Sequence, residues 1–301
     1  MTSIRSAVNR SATTTPAASP RLAVLASRVR FEEKSIMTAL DRRGIAFEHL
    51  DPRTLFVASG TSYTGPRLVL NREVGHFRAL YAASALESVG VTVVNSAAAT
   101  HLAGDKWHTS AALLRHGLPT PRTALAITPD AALAALEEIG YPAVLKPLVG
   151  SWGRLVTRVT DSTMAGAVLE HIAAMPSPQS HVVYVQEQVA KADRDIRILV
   201  VAGRALGGTY RRSTEWRTNV ARGAVSEPLA PSAEHAELAV AAAAAVGTEL
   251  AGVDLIEDLE GGLTVLEVND RVEFTGLQGA HGRDLDVAGA IADLLAAGTR
   301  T

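Results

Sequence analysis

What most limits the folds open to this chain is the alternation of short apolar runs with longer helical stretches that begins at Arg21. Leu22 to Ala26 reads as a buried strand, and Phe31 to Arg43 as a helix ended by Gly44. Strands follow at Ile45 to Leu50 and Leu68 to Leu70, then a helix from His76 to Val89 stopped by Gly90, then a strand from Val91 to Val94. Strands joined through helices pair in parallel, with the helices on the sheet's faces. Residues 21–100 are therefore expected to form a small α/β domain. Residues 1–20 are Ser, Thr, Ala and Pro without a hydrophobic period and read as a solvated, disordered leader.

Past this domain the pattern changes. Asn95-Ser96 opens a helical stretch that Gly104-Asp105-Lys106-Trp107 is expected to interrupt, before a helix from His108 to Arg115. A strand (Thr123 to Ile127) and a helix (Ala131 to Ile139) lead to Ala143-Val144-Leu145, a short strand that delivers Lys146 into the loop Gly150-Ser151-Trp152-Gly153-Arg154. A second β-rich run, Leu155 to Thr160, follows at once. A glycine loop between strands can close over phosphates, because glycine lets backbone N–H groups turn toward an anion. It is not a Walker loop, since no Gly-Lys-Ser/Thr follows and the next element is a strand. The rest reads as a helix (Met164 to Ala174), a strand (His181 to Val189), a hairpin around Gly203, an alanine-rich helix (Glu234 to Val246), a second hairpin (Leu250 to Ile256 with Leu263 to Val268) and a closing helix (Val287 to Ala296).

Composition excludes several classes of function. With 29 basic and 31 acidic residues, nothing global points to nucleic acid or an anionic membrane. The absence of cysteine rules out disulfides, thiolate nucleophiles and thiolate-held metals, and it fits a reducing compartment such as the cytoplasm. No apolar run is long enough to span a bilayer. Only Lys34, Lys106, Lys146 and Lys191 interrupt an otherwise arginine-only positive charge. In such a chain a lysine suggests a site wanting a compact ammonium rather than a planar fork.

The second hairpin carries carboxylates. A two-residue turn at Glu260-Gly261 or Gly261-Gly262 sets Asp254 opposite Glu267 or Asn269, and either register puts all three on one face. A three-residue turn would break the arrangement. Two carboxylates and a carboxamide without histidine suit Mg²⁺ carrying phosphates better than zinc. Between the loop and this hairpin lies an arginine-rich middle: Arg194-Asp195-Ile196-Arg197, Tyr210-Arg211-Arg212, Trp216-Arg217-Thr218-Asn219 and Ala221-Arg222-Gly223. Arginine forks match phosphate and carboxylate oxygens. Lysines, arginines and a hard-metal trio together describe a triphosphate site.

These blocks, with Asp105-Lys106, Gln186-Glu187 and Glu273-Phe274, resemble the ATP-grasp ligases of the RimK/LysX branch from about Arg21 to the C-terminus. The Ser-Trp-Gly-Arg, Trp-Arg-Thr-Asn and Glu-Phe pieces look like the LysX type. The resemblance implies an α/β ATP-grasp fold of three domains, residues 21–100, a central lid at 101–185 and a C-terminal part at 186–301, with nucleotide bound between two sheets. It implies that Lys106 and Lys146 bind the nucleotide phosphates, that Gly150, Ser151, Trp152, Gly153 and Arg154 form a flap over them, that Glu187 and Gln188 meet the adenine, and that Asp195 holds the ribose. Arg217, Thr218 and Asn219 would line the nucleotide site, Asp254, Glu267 and Asn269 would ligate two Mg²⁺ ions, and Arg197 and Arg211, with Asn219, would steady the reacting groups.

The activity implied uses ATP to phosphorylate a carboxylate, which an amine then attacks. In LysX-type enzymes the carboxylate is the C-terminal glutamate of a small acidic amino-group carrier protein, and the amine belongs to an amino acid such as α-aminoadipate or glutamate. A homo-oligomer, dimer or tetramer, is also implied. One departure concerns the substrate. Asp270-Arg271-Val272 stands where family members carry His-Thr-Met or His-Thr-Pro, so Arg271, Glu273 and Phe274 are candidate substrate contacts, and an unusual amino acid is admissible. The alternatives are a RimK-like ligase adding glutamate to a protein tail or peptide, and a non-catalytic nucleotide-binding regulator.

Overall fold

The computed structural model describes residues 21–60, 62–150, 154–213 and 224–299. They divide into two compact units: residues up to Ala97 joined by those from Ala288 onward, and Ala98 to Val287.

In the first unit, β1 (Leu22–Leu25), β2 (Phe47–Leu50), β3 (Leu68–Asn71) and β4 (Thr92–Val94) form a sheet in the order β2-β1-β3-β4. Every pair is parallel, and α1 (Phe31–Arg42) and α2 (His76–Glu87) supply the crossovers that parallel pairing needs. β1 is buried at all four positions, which is why it reads Leu-Ala-Val-Leu without alternation. One member of this unit comes from the far end of the chain. Helix α9 (Val287–Gly298) buries Ile291, Ala292 and Leu295, Gly298 lies against Leu68 of β3, and Arg43 reaches Asp293 at 2.7 Å. The apolar stripe of a helix shows that it must be covered, but not by which sheet.

The second unit holds two antiparallel sheets. The smaller contains β5 (Thr123–Ala126), β6 (Ala143–Lys146), β7 (Thr157–Val159) and β8 (Val183–Glu187) in the order β5-β8-β6-β7. Helices α5 (Pro129–Ile139) and α6 (Ser162–Ala173) contribute Leu136 and Leu169 to its core with Leu145, Val159 and Val185. Strand β7 is shorter than the sequence suggests: Leu155 stands at φ 57, in the left-handed region, which holds the start of the run out of extended geometry.

The larger sheet is β9 (Arg194–Val201), β10 (Arg204–Arg212), β11 (Val225–Leu229), β12 (Leu250–Glu257) and β13 (Leu263–Asn269), ordered β11-β10-β9-β12-β13. One face packs Ile196, Ile198, Val200, Val253, Leu255 and Val265 against α7 (Ala233–Ala245). Ala239, Ala242 and Ala243 of α7 are buried, and their small side chains let the helix lie close. Strand β11 escapes the sequence pattern because Val-Ser-Glu-Pro-Leu has little alternation; its proline is tolerated on an edge strand.

Helix α4 (Lys106–Arg115) joins the same core through Ala112 and Leu113. It shortens the expected interruption at residues 104–107 to Gly104 and Asp105. The Asp105 carboxylate accepts from the N–H groups of Trp107 at 2.9 Å and His108 at 3.1 Å, so Asp105 is an N-cap and Lys106 is the first helical residue. Two short helices, α3 (Ala97–Ala103) and α8 (Thr275–His281), complete the described α-helices; the latter has no counterpart in the sequence reading.

Candidate active site

The open face of the larger sheet is polar because of register. Asp254 pairs with Glu267, and Gly252 with Asn269, so the three expected residues do share a face. They arrive there by a different route. The Asp258 N–H donates to Gly262 O at 3.0 Å, closing a three-residue loop of Leu259, Glu260 and Gly261, with Gly261 at φ 90. Continued unbroken, that register would put Leu266 opposite Asp254. A register shift between Asp254 and Leu255 makes Leu266 the extra residue and returns Glu267 to the polar side. On the next strands Arg197 lies opposite Asp254 and Thr209 opposite Arg197, so Thr209, Arg197, Asp254 and Glu267 form one row across four strands.

Charges along this face are tightly paired. Arg197 holds Asp254 with both ends of its fork, at 2.6 and 2.8 Å. Arg211 reaches Asp254 at 3.0 Å and grips Asp195 at 2.7 and 2.9 Å. Burial alone would push the Asp254 carboxyl up, but the guanidinium charges of Arg197 and Arg211 outweigh it and hold it below the usual range. Asp195 is buried with both oxygens on Arg211. Arg197 keeps 23% of its side chain exposed against 4% for Arg211, so Arg197 is the fork within reach of a substrate and Arg211 is the buttress behind it.

Lys146 comes to this face from the smaller sheet, and Lys106 from the start of α4. Lys106 Nζ donates to Gly150 O at 3.0 Å, holding the first residue of the glycine loop, and lies 3.8 Å from Glu267 Oε1. Lys146, at the end of β6, donates to Gln186 Oε1 at 2.6 Å. Burial pulls its ammonium down to about 8; Glu267 and Asp254 oppose the fall, and Lys106 adds to it. Residues from three separate stretches of sequence thus converge within one unit. Gln186 was the partner without an assigned role; the signal was present in Val183-Tyr184-Val185-Gln186, whose polar tips alternate onto one face.

At the end of β8, the Glu187 carboxylate accepts from the Arg122 N–H at 2.7 Å, and the Gln188 N–H donates to Pro142 O at 3.2 Å. Gln188 Oε1 is buried with no hydrogen-bond partner among the described residues. An orphaned acceptor there suits the exocyclic amine of an adenine. Arg154 is exposed. Ser151, Trp152, Gly153, Arg217, Thr218 and Asn219 lie outside the described residues.

Arg271 donates to the carboxylate of Asp270, so the charged pair is neutralised within itself. Val272 packs onto Gly252, where a Cβ would come within 2.5 Å of Val272 Cγ2. Glu273 is exposed, and Phe274 is only 1% exposed.

Among the described residues, no cluster of three or more Asp, Glu or His side chains is spaced to hold a metal ion. The donors that fit are Glu267, whose nearest cation is Lys106, and Asn269, whose Nδ2 donates to Gly252 O at 3.3 Å and leaves Oδ1 to accept. Asp254 has three guanidinium contacts and little acceptor capacity left. Few protein oxygens, with phosphates and water completing the shell, is how magnesium is usually held.

Comparison with known proteins gives the chain's family. Residues 103–295 match the RimK-like ATP-grasp domain, and residues 22–102 match the LysX preATP-grasp domain. The glutamate--LysW ligase ArgX of Sulfolobus acidocaldarius is 33% identical over 270 residues, covering 89% of this chain and 95% of the relative. The alpha-aminoadipate--LysW ligase LysX of the same organism is 34% identical, covering 82% and 91%. Among solved structures, a RimK domain ATP-grasp protein from Sphaerobacter thermophilus superposes with a TM-score of 0.76 at 30% identity, covering 91% of this chain and 98% of that one.

Proposed function

This chain belongs to the RimK-like ATP-grasp ligase family, and on that premise we propose that it joins the amino group of an amino acid to the C-terminal glutamate of a small acidic carrier protein. The observation that carries the reading is the likeness to two LysW ligases along nearly the whole length of each chain.

In this reading Lys106 and Lys146 neutralise the nucleotide phosphates, Gln188 Oε1 accepts from the adenine amine, and the Gly150–Arg154 loop closes over the triphosphate. Glu267 and Asn269 would hold a magnesium ion, and a second ion would need Asp254 to give up an arginine. The metal supplies neutralisation of phosphate charge when bound. The carrier's glutamate carboxylate is a poor electrophile because its leaving group would be oxide. Its oxygen attacks the γ-phosphorus of ATP and ADP leaves. The amine then attacks the acyl carbon of the acyl phosphate, inorganic phosphate leaves, and the nitrogen loses a proton. Arg197 meets the charge on the transferring group, held in line by Asp254, and Arg211 braces the pair from below. Arg271, neutralised by Asp270, contributes shape and donors rather than net charge to the amino-acid pocket, and α-aminoadipate, glutamate and an unusual amino acid all remain within its chemistry.

The test is to incubate the protein with ATP, Mg²⁺, a carrier ending in glutamate and a panel of amino acids. A carrier heavier by one amino acid less water, with matching ADP and phosphate, supports the reading. Transfer of glutamate to a protein tail or free peptide instead would point to RimK-like activity. No ADP with any acceptor would favour a nucleotide-binding regulator.

A further inference from the structure

Ser110, Tyr184 and Gln186 form a chain of hydrogen bonds beneath the two lysines. Gln186 Oε1 accepts from Lys146 at 2.6 Å, Gln186 Nε2 donates to the Tyr184 hydroxyl at 2.9 Å, and that hydroxyl lies 2.8 Å from Ser110 Oγ. All three side chains are enclosed, at 2%, 1% and 2% exposure for Ser110, Tyr184 and Gln186. Ser110 sits one turn after Lys106 on α4, and Tyr184 pairs with Lys146 across β8 and β6. The chain therefore runs from the helix that carries one lysine to the strand that carries the other.

We infer that Ser110, Tyr184 and Gln186 are positioning residues: together they set the spacing of Lys106 and Lys146 and fix the face that the Gln186 amide shows to Lys146. This rests on the reading of the lysines as nucleotide ligands. The logic is directional. A carboxamide can present either its oxygen or its NH₂, and only the oxygen satisfies an ammonium. The Tyr184 hydroxyl accepts from the Gln186 NH₂, which leaves the amide oxygen for Lys146, and the same hydroxyl shares a hydrogen bond with Ser110 Oγ. Burial pushes the Tyr184 phenol far up, so the hydroxyl keeps its proton. The groups that act on Lys146 from the surrounding elements are Glu267 of β13, Asp254 of β12 and Lys106 of α4.

Tyr184→Phe keeps the ring and removes the hydroxyl. It is expected to raise KM for ATP about tenfold, the upper size of one lost neutral hydrogen bond, with kcat and the KM of the amino acid changed less than about twofold. Gln186→Leu should behave in the same way. Gln186→Glu places an acceptor on both positions, so it needs no orienting; the double variant Tyr184→Phe/Gln186→Glu should bring KM for ATP back to within about threefold of wild type. Unchanged KM in Tyr184→Phe, or no rescue in the double variant, would overturn the inference. If Tyr184→Phe does not fold, Ser110→Ala carries the same test, with a rise of about threefold expected and an unchanged KM counting against it. Failure of the wild-type chain to bind ATP at all would instead remove the nucleotide reading on which the inference stands.

Discussion

Lys146 shows how one side chain can report on the site. Its ammonium is pulled to about 8 by burial, well below the ordinary lysine value, so the free site carries a fractional charge at mildly alkaline pH. A bound triphosphate favours the charged form and raises that value. Between the two values binding takes up a proton, and affinity falls as pH rises above about 8. Calorimetry at about pH 8.5 in buffers of different ionisation enthalpy should show uptake that disappears in Lys146→Met. Zero uptake in the wild type would contradict the assignment. Glu267 is a second such residue. It is 30% exposed and held to no guanidinium among the described residues, so Glu267→Gln should leave stability within about 0.5 kcal/mol. ADP formation, in contrast, should fall at least about 100-fold, the loss seen when one preorganised electrostatic partner is removed. At this scale the sequence was informative about residue type: hard oxygens, two lone lysines and arginine forks. It said less about partnership, and nothing local marks Asp195 as the partner of Arg211.

Among the elements, the β12–β13 hairpin is where local chemistry and function meet. The polar row survives a three-residue turn only because the strand absorbs one extra residue beside Leu255. Period-two alternation cannot reveal that, since the bulge is set by how β13 lies against β12. The same hairpin carries Gly252, whose missing side chain makes room for Val272. Gly252→Ala drives a Cβ into the Val272 methyl group, with an expected loss of about 1–3 kcal/mol of stability in denaturant unfolding. Because Val272 leads from Arg271 into Phe274, KM for the amino acid should rise more than KM for ATP. Equal changes in both would place the 271–274 segment away from the amino-acid pocket.

Across the whole molecule, the first unit is closed by a helix that arrives last in sequence. Leu295 of α9 is fully buried there, so Leu295→Ala should cost about 2–5 kcal/mol. Hydrogen exchange should show the loss in β1 and β3, leaving β9 and β12 protected as before. An equal loss of protection in β9 and β12 would mean that α9 supports more than its own unit. No described helix is long and apolar enough to cross a membrane.

Sequence alone determined the local grammar: the parallel α/β opening, the lysine carried into a glycine loop, and the carboxylates and carboxamide of a late hairpin. These follow from periodicity and residue chemistry, which act over a few residues. Tertiary structure decided the pairings that cross tens or hundreds of residues: Asp254 between two arginines, Lys146 on Gln186, α9 on a sheet begun at Leu22. Those depend on register and burial, and one shifted residue or one choice of covering helix changes them without altering any local signal.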